Sequence, residues 1–272
     1  MHDLFIEMNG KSISLSEHFP GVFIQEVIRK SPQIEIDSEK ITGTDGVIPH
    51  TVSFQPFTIQ VTAYLQALDI SDYHLVAREL YQFLFQRESY YIWSETMPGI
   101  RYHVFPKPFD FDRQSERVAL FTLEFDCFKG YGESRGTTLD PLTFETELWQ
   151  IGNGLVNPED LRYTFSDALF RVYNASSDRI DPLMRHELTI AISGKGCPTL
   201  TNKTNGSSFA LNRDLRHSDR LVIDGIYPYL NDDRCGKDSN HGVIQLEKGW
   251  NQFELTGLEE QRIAFAFPFI YR

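Results

Sequence analysis

The segment Gly132-Glu133-Ser134-Arg135-Gly136 spells the G-x-S-x-G pattern of a nucleophile elbow, and Asp167 and His217 follow in the Ser, Asp, His order of an α/β hydrolase. An elbow needs a strand entering and a helix leaving, because the sharp turn and the helix N-terminus expose and activate the hydroxyl. Here Thr137-Thr138-Leu139-Asp140-Pro141 follows, so the match reads as a glycine-rich linker. The run Asn231 to Asp238 offers oxygen donors around Gly236, as a calcium loop does. It also carries two cations and lacks the bidentate Glu, which makes it a solvated turn. Cys235 and His241 are two soft ligands without a third or fourth, too few for zinc. Paired carboxylates for glycoside hydrolysis are uninformative, since among 38 acidic residues some pair always has a suitable spacing. The sequons at Asn174, Asn202 and Asn205 read as polar loops. Trp149, Trp250, Tyr227 and Tyr229 could stack on sugar rings, although aromatics in a Phe-rich β protein are ordinarily core. With no P-loop and no G-x-G-x-x-G, the residues predict no catalytic group, no metal and no cofactor.

The elements that would position these residues are mostly strands. Leu4 to Leu15 predicts two strands joined at Asn9-Gly10, the dipeptide that best tolerates the positive φ of a type I′ turn. Period-two alternation recurs at Ile34 and Ile36, from Ile59 to Leu65, and from Val118 to Cys127. One segment breaks the pattern. From Ser71 to Arg87, Leu75, Val76, Leu80, Phe83 and Leu84 recur at helical spacing, with Ser71 or Asp72 placed to cap. Pro98, Gly99, Pro106 and Pro108 bracket an aromatic strand, Arg101 to Phe105. Gly130 to Pro141 is the most linker-like stretch, and the domain boundary is expected there. Beyond it, short strands are predicted at Leu169–Tyr173, Glu187–Ser193, Ser208–Leu211, Arg220–Asp224, Val243–Leu246, Gln252–Leu255 and Ile263–Tyr271. Turns at Gly194, Gly196, Gly225, Gly249 and Gly257 separate them at the spacing of an antiparallel sandwich. Pro268, lacking an amide, predicts an edge or a bulge in the last of these.

The whole chain bounds the function class. At 272 residues with 13% aromatic content, two mainly β domains are expected. A net charge of −12 argues against gripping a phosphate backbone, which calls for clustered Lys and Arg. Three scattered cysteines without C-x-x-C predict reduced thiols of a cytoplasmic product, neither a disulfide framework nor a zinc knuckle. An acidic N-terminus and the lack of any run of ~20 uncharged apolar residues predict no cleaved leader and no membrane insertion.

The order of the blocks adds a family. Gly43-Thr44-Asp45-Gly46, the strand Thr58 to Leu65, the helix, Met97 to Val104 and the strand Ala119 to Phe128 make up the first half. Ile151-Gly152-Asn153-Gly154 with Pro158, Thr204-Asn205-Gly206 with Phe209, Asp219 to Asp224 and Leu246 to Asn251 make up the second. Together they resemble the distal tail (Dit) proteins of long-tailed bacteriophages, particularly those infecting Gram-positive hosts. The resemblance implies an N-terminal ring-forming β domain with one helix over 1–135 and a C-terminal galectin-like antiparallel β-sandwich over 136–272. It implies a hexameric ring, single or stacked, that joins the tail tube protein to a tail-tip protein and carries a receptor-binding protein. DNA would pass through without specific binding, the ring would sit at the virion tail tip after assembly in the host cytoplasm, and no residue would be catalytic. Gly43, Asp45, Gly46, Phe54 and Phe57, in the segment Gly43 to Phe57, are then expected at the ring interface. The galectin sugar motifs H-x-N-P-R and W-G-x-E-x-R are not met, since His186 precedes Glu187-Leu188 and Trp250 precedes Asn251-Gln252. The competing expectation is a carbohydrate-binding β-sandwich protein for host cell-wall glycans, stacking sugars on Tyr227, Tyr229 and Trp250.

Overall fold

At Asn9-Gly10 both residues take positive φ, 52° and 72°, and close a two-residue hairpin between β1 (Leu4–Met8) and β2 (Lys11–Ser14), with Met8 opposite Lys11. The computed structural model describes residues 3–143, 146–150, 152 and 161–272; Ile151, Asn153, Gly154 and Pro158 of the resemblance lie outside them. The chain forms two compact units, Met1–Gly132 together with Arg272, and Glu133–Tyr271.

In the first unit a one-turn helix, α1 (Leu15–His18), starts where the Ser14 hydroxyl accepts from the Glu17 amide. Then come β3 (Val22–Arg29), β4 (Ile34–Glu39), β5 (Ile48–Phe54), β6 (Phe57–Gln66), α2 (Ile70–Leu84), β7 (Tyr90–Ser94), β8 (Ile100–Pro106), β9 (Phe111–Arg113) and β10 (Val118–Cys127). The main sheet is antiparallel in the order β2-β1-β7-β8-β10-β6-β3, with β9 also against β10. The alternation read in β6 and β10 does its expected work. The two pair along their full length, Val118 opposite Gln66 to Cys127 opposite Phe57, so Ile59, Val61, Ala63 and Leu65 share the inner face with Phe121, Leu123 and Phe125. Across that face α2 lays Tyr73, Leu80 and Leu84 into one core. Each such fully buried Leu or Phe contributes roughly 1.5–3 kcal/mol.

The helix departs from the expected cap. Its N-cap is Asp69, whose carboxylate accepts from the Ser71 and Asp72 amides at 2.8 Å each, while Asp72 reaches back to the Leu68 amide at 2.7 Å. The reciprocal arrangement of a capping box satisfies three amides and moves the start one residue ahead of Ser71.

In the second unit β11 (Gly132–Ser134) leads to β12 (Thr164–Phe165), β13 (Leu169–Asn174), β14 (Thr189–Asn202), β15 (Ser208–Ala210), β16 (Leu221–Asp224), β17 (Tyr227–Leu230), β18 (Asp233–Arg234), β19 (Gly249–Ala266) and β20 (Ile270–Tyr271). Two of these are far longer than the sequence suggests. Strands β14 and β19 run straight through Gly194, Gly196 and Gly257, positions expected to be turns. The glycines instead sit at register shifts between Ser193 and Lys195 and between Gly196 and Thr199. The backbones close in so far there that a Cβ on Gly257 would lie 1.9 Å from the Cys197 carbonyl oxygen.

On one side of this bulge β14 and β19 pair with β16 and β12; on the other they pair with β15 and β13. Phe253 and Phe265 belong to opposite ends of β19, which extended would hold them roughly 40 Å apart. Their rings lie 5.1 Å apart. The ribbon therefore doubles back on itself, and its two halves face each other over a core with Phe170, Leu200, Phe209 and Ile263. Pro268 falls in the break between β19 and β20.

Two further expectations are corrected. Val243–Leu246 is not a strand: its backbone is held by side-chain amides, Asn202 Nδ2 donating to the Gln245 carbonyl at 2.8 Å and Asn174 Nδ2 to the Leu246 carbonyl at 3.4 Å, with one bridge to Ile180. Asn174 and Asn202 are thus fully buried and not in polar surface loops. The glycine-rich stretch after Gly130 is no open linker either. Gly132, Ser134, Gly136 and Thr138 are buried, because a residue without Cβ lets the chain lie against rings, as Gly136 does on Trp149.

Candidate functional site

Strands β4 and β5 form a two-stranded sheet of their own, and among the described residues neither pairs with any other strand. They prolong the β3–β6 pair outward: Lys30 N still donates to the Thr58 carbonyl, and Gln55 N to the Gln33 carbonyl, before β4 and β5 take over. Six residues of β4 at ~3.3 Å each make an arm on the order of 20 Å long.

Ile34 stands opposite Phe54 and Ile36 opposite Val52, which places these four on one face, with Glu35 and Ser53 on the other. Ile34, Ile36, Ile41, Val47, Ile48 and Val52 are all exposed, at 57% for Ile34 and 58% for Val47. At the tip Thr44 closes a turn on the Ile41 carbonyl, and Gly43 and Gly46 take φ of 88° and 80° with open space around them. The carboxylates Glu35, Asp37, Glu39 and Asp45 outnumber the single Lys40; Glu39 holds His50 at 3.4 Å in an exposed pair worth little. An isolated two-stranded hairpin is marginal in water, and contiguous exposed apolar surface marks an interaction site. The arm is therefore built to be covered.

Of the residues expected at a ring interface, Gly43, Asp45 and Gly46 lie in the exposed tip and Phe54 at the root, its ring 3.9 Å beneath the Arg272 guanidinium. Phe57 is different. It is buried in the sheet core under the Arg29 guanidinium, with no surface left for a neighbour. Ile34, Ile36 and Val52 share the exposed apolar face of the arm, and the alternation of Ile34 and Ile36 with Glu35 and Asp37 is the signal of that face in the sequence.

The chemistry-bearing candidates do not converge. Ser134 is fully buried; its hydroxyl donates to the Gly136 carbonyl at 2.6 Å and accepts from the Phe269 amide at 2.9 Å. His217 stands at the surface against Glu260, and Asp167 is exposed. Asn231 and Asp232, both with positive φ, are the two-residue turn between β17 and β18, and Asn231 spends its amide on Asp219 and the Arg220 amide. No disulfide joins the three cysteines, and no group of three or more His, Cys, Asp or Glu among the described residues could hold a metal. Trp149 is core, donating to the Pro141 carbonyl. Tyr227 is half-exposed under Arg234 and Tyr229 shares its face on β17, whereas Trp250 lies against Tyr173 and Arg171 in the half of the sandwich that carries β13. No helix among the described residues is long and apolar enough to cross a membrane.

Residues 8–127 match the family model of the phage tail protein RIFT-related domain. Over those residues the first unit is similar to a phage tail domain. Its arm, its helix α2 and its strands from β2 to β10 fall within the matched residues. No curated protein sequence matches the chain. Among solved structures, the Dit protein of phage SPP1, described as a paradigm of the hub adsorption apparatus in phages infecting Gram-positive hosts, superposes with a TM-score of 0.71 at 14% identity, covering 99% of each chain. The phage P2 baseplate in its activated conformation with calcium gives a TM-score of 0.50 at 9% identity over 99% of this chain and 98% of that one; the strontium form gives 0.50 at 10% over 98% of each. The first unit and the mainly β unit that follows it thus each share the fold of a siphophage distal tail protein.

Proposed function

We propose that the chain is a structural, non-catalytic hub of a phage tail tip, and that copies of it close into a ring through the β4–β5 arm. The observation that carries this reading is the arm itself, which prolongs the β3–β6 pair, pairs with nothing else among the described residues and exposes six branched aliphatics. A ring closed by heterologous contacts needs one patch that reaches out and another that receives. Six copies give the ring of the distal tail proteins it resembles; tail tube and tail-tip proteins would dock on its two faces, with a receptor-binding protein on the second unit. The ring would work at the virion tail tip after assembly in the host cytoplasm.

Light scattering behind a sizing column tests this. Six copies of a 31.5 kDa chain give about 189 kDa, or twice that for a stacked pair. Replacing Ile34, Ile36 and Val52 by Glu is expected to leave 31.5 kDa monomers with unchanged β content, because all three are exposed in the single copy. A wild-type monomer at high concentration, binding purified wall polysaccharide, would reject the hub and favour a lectin.

A further inference from the structure

We infer that Asn9, in the turn between β1 and β2, is a site of spontaneous covalent modification, an asparagine that loses its side-chain nitrogen while the chain is folded. In an Asn-Gly pair the glycine nitrogen can attack the side-chain carbonyl carbon of the asparagine, because no side chain on the second residue stands in the way. A bond forms between the Gly10 nitrogen and Asn9 Cγ, and the bond from Cγ to Nδ2 breaks. The nitrogen leaves as ammonia, its third hydrogen coming from the Gly10 amide. Water then opens the five-membered imide at one carbonyl or the other, leaving an aspartate or an isoaspartate and one further negative charge.

Two such pairs lie among the described residues, Asn9-Gly10 and Asn205-Gly206; a third, Asn153-Gly154, falls outside them. The two glycines are alike, with φ of 72° and 77° and nothing within 4 Å of a Cβ on either. The asparagines differ. Asn205 is half-buried; its Nδ2 donates to the Gln245 carbonyl at 3.1 Å and to Glu247 at 3.3 Å, and its Oδ1 accepts from the Ser207 amide at 3.0 Å and hydroxyl at 2.8 Å. The Gly206 amide, the attacking group there, is itself held by the Asn202 carbonyl at 2.8 Å. Asn9 and Gly10 are both exposed, and neither the Asn9 side chain nor the Gly10 amide has a hydrogen bond.

The backbone must also swing, since attack carries Asn9 out of the left-handed conformation of its turn. Strand β2 is the edge of its sheet, paired with β1 alone, and Lys11 and Ser12 beside the turn are exposed. Opening the turn disturbs only the terminal Met8–Lys11 pair. An isoaspartate runs the main chain through an extra carbon, so the two-residue turn no longer closes in register, and the change lands on the short strand whose last residue, Ser14, caps α1.

The test holds the full-length protein folded in mildly alkaline buffer over days, then unfolds and digests it in mild acid and weighs the peptides that carry Asn9 and Asn205. The Asn9 peptide is expected to take on the mass of the acid and to split into two chromatographic forms, at least ~10-fold faster than the Asn205 peptide reacts, a factor that two net hydrogen bonds supply. In urea the two sites are expected to react at similar rates, because the bonds that separate them are gone. An Asn9 that keeps its amide in the folded protein, or an Asn205 that keeps pace with it, overturns the inference. A ratio as large in urea as in the fold would trace the difference to neighbouring residues and overturn it too.

Discussion

Gly257 and Gly43 both hold φ near 80–90°, yet the structure assigns them opposite sensitivities. A Cβ on Gly257 would drive into the Cys197 carbonyl, whereas one on Gly43 meets nothing within 4 Å. Gly257→Ala is expected to cost roughly 3 kcal/mol and Gly43→Ala only roughly 1 kcal/mol, the backbone cost alone, read from urea midpoints. Asp219 shows how a surface carboxylate is tuned: the Arg216 amide at 2.9 Å and the Asn231 amide at 3.0 Å hold its pKa below the ordinary value. A depressed carboxylate stabilises the fold above its unfolded pKa, and that contribution is lost as pH falls through the native value. The melting temperature of Asp219→Asn should therefore lie below wild type at neutral pH, the gap closing below about pH 4; a constant gap would show that charge plays no part. At this scale sequence reading is weakest for Asn174 and Asn202, whose sequons suggest polar loops while both side chains are fully buried and spent on backbone carbonyls.

Elements were legible where pattern and turn chemistry agreed. Asn9-Gly10 and the ten alternating residues of β10 needed nothing beyond themselves, since a positive-φ pair and a one-sided core each leave a local mark. Strands β14 and β19 were cut short because a glycine that ends a strand and a glycine that lets two strands press together at a bulge have the same letter. The buried run after Gly130 was mistaken for a linker for the same reason. Helix α2 was found in its body and misplaced at its start, where Asp69 and Asp72 share the capping. Asp69→Ala should cost about 1 kcal/mol by chemical denaturation, and Ser71→Ala far less, as the Ser71 side chain is not the cap. The alternation of Ile34 and Ile36 marks a strand in the sequence, but what faces it does not show there: which side of β4 is apolar depends on its pairing with β5, and that register is not local information.

The net charge is −12 per copy, and the proposed ring of six would carry −72, from 6 × −12. Such a net charge repels phosphate, so duplex DNA at about 0.15 M salt is expected to migrate unretarded in a gel with the assembled protein; retention would show that basic residues cluster on a surface DNA can reach.

The second unit also fixes when it can fold. Ser134 and Thr138, at its start, bond to the backbone at Phe265, Phe267 and Phe269, across sequence gaps of 127 to 135 residues. Closing so wide a loop is slow, and nothing local rewards it in advance. A nascent chain arrested before residue 249 would leave β14 without the strand that pairs along most of its length. The unit is thus committed to folding after synthesis has passed its last strand, and each new chain would spend that interval with its stickiest ribbon open.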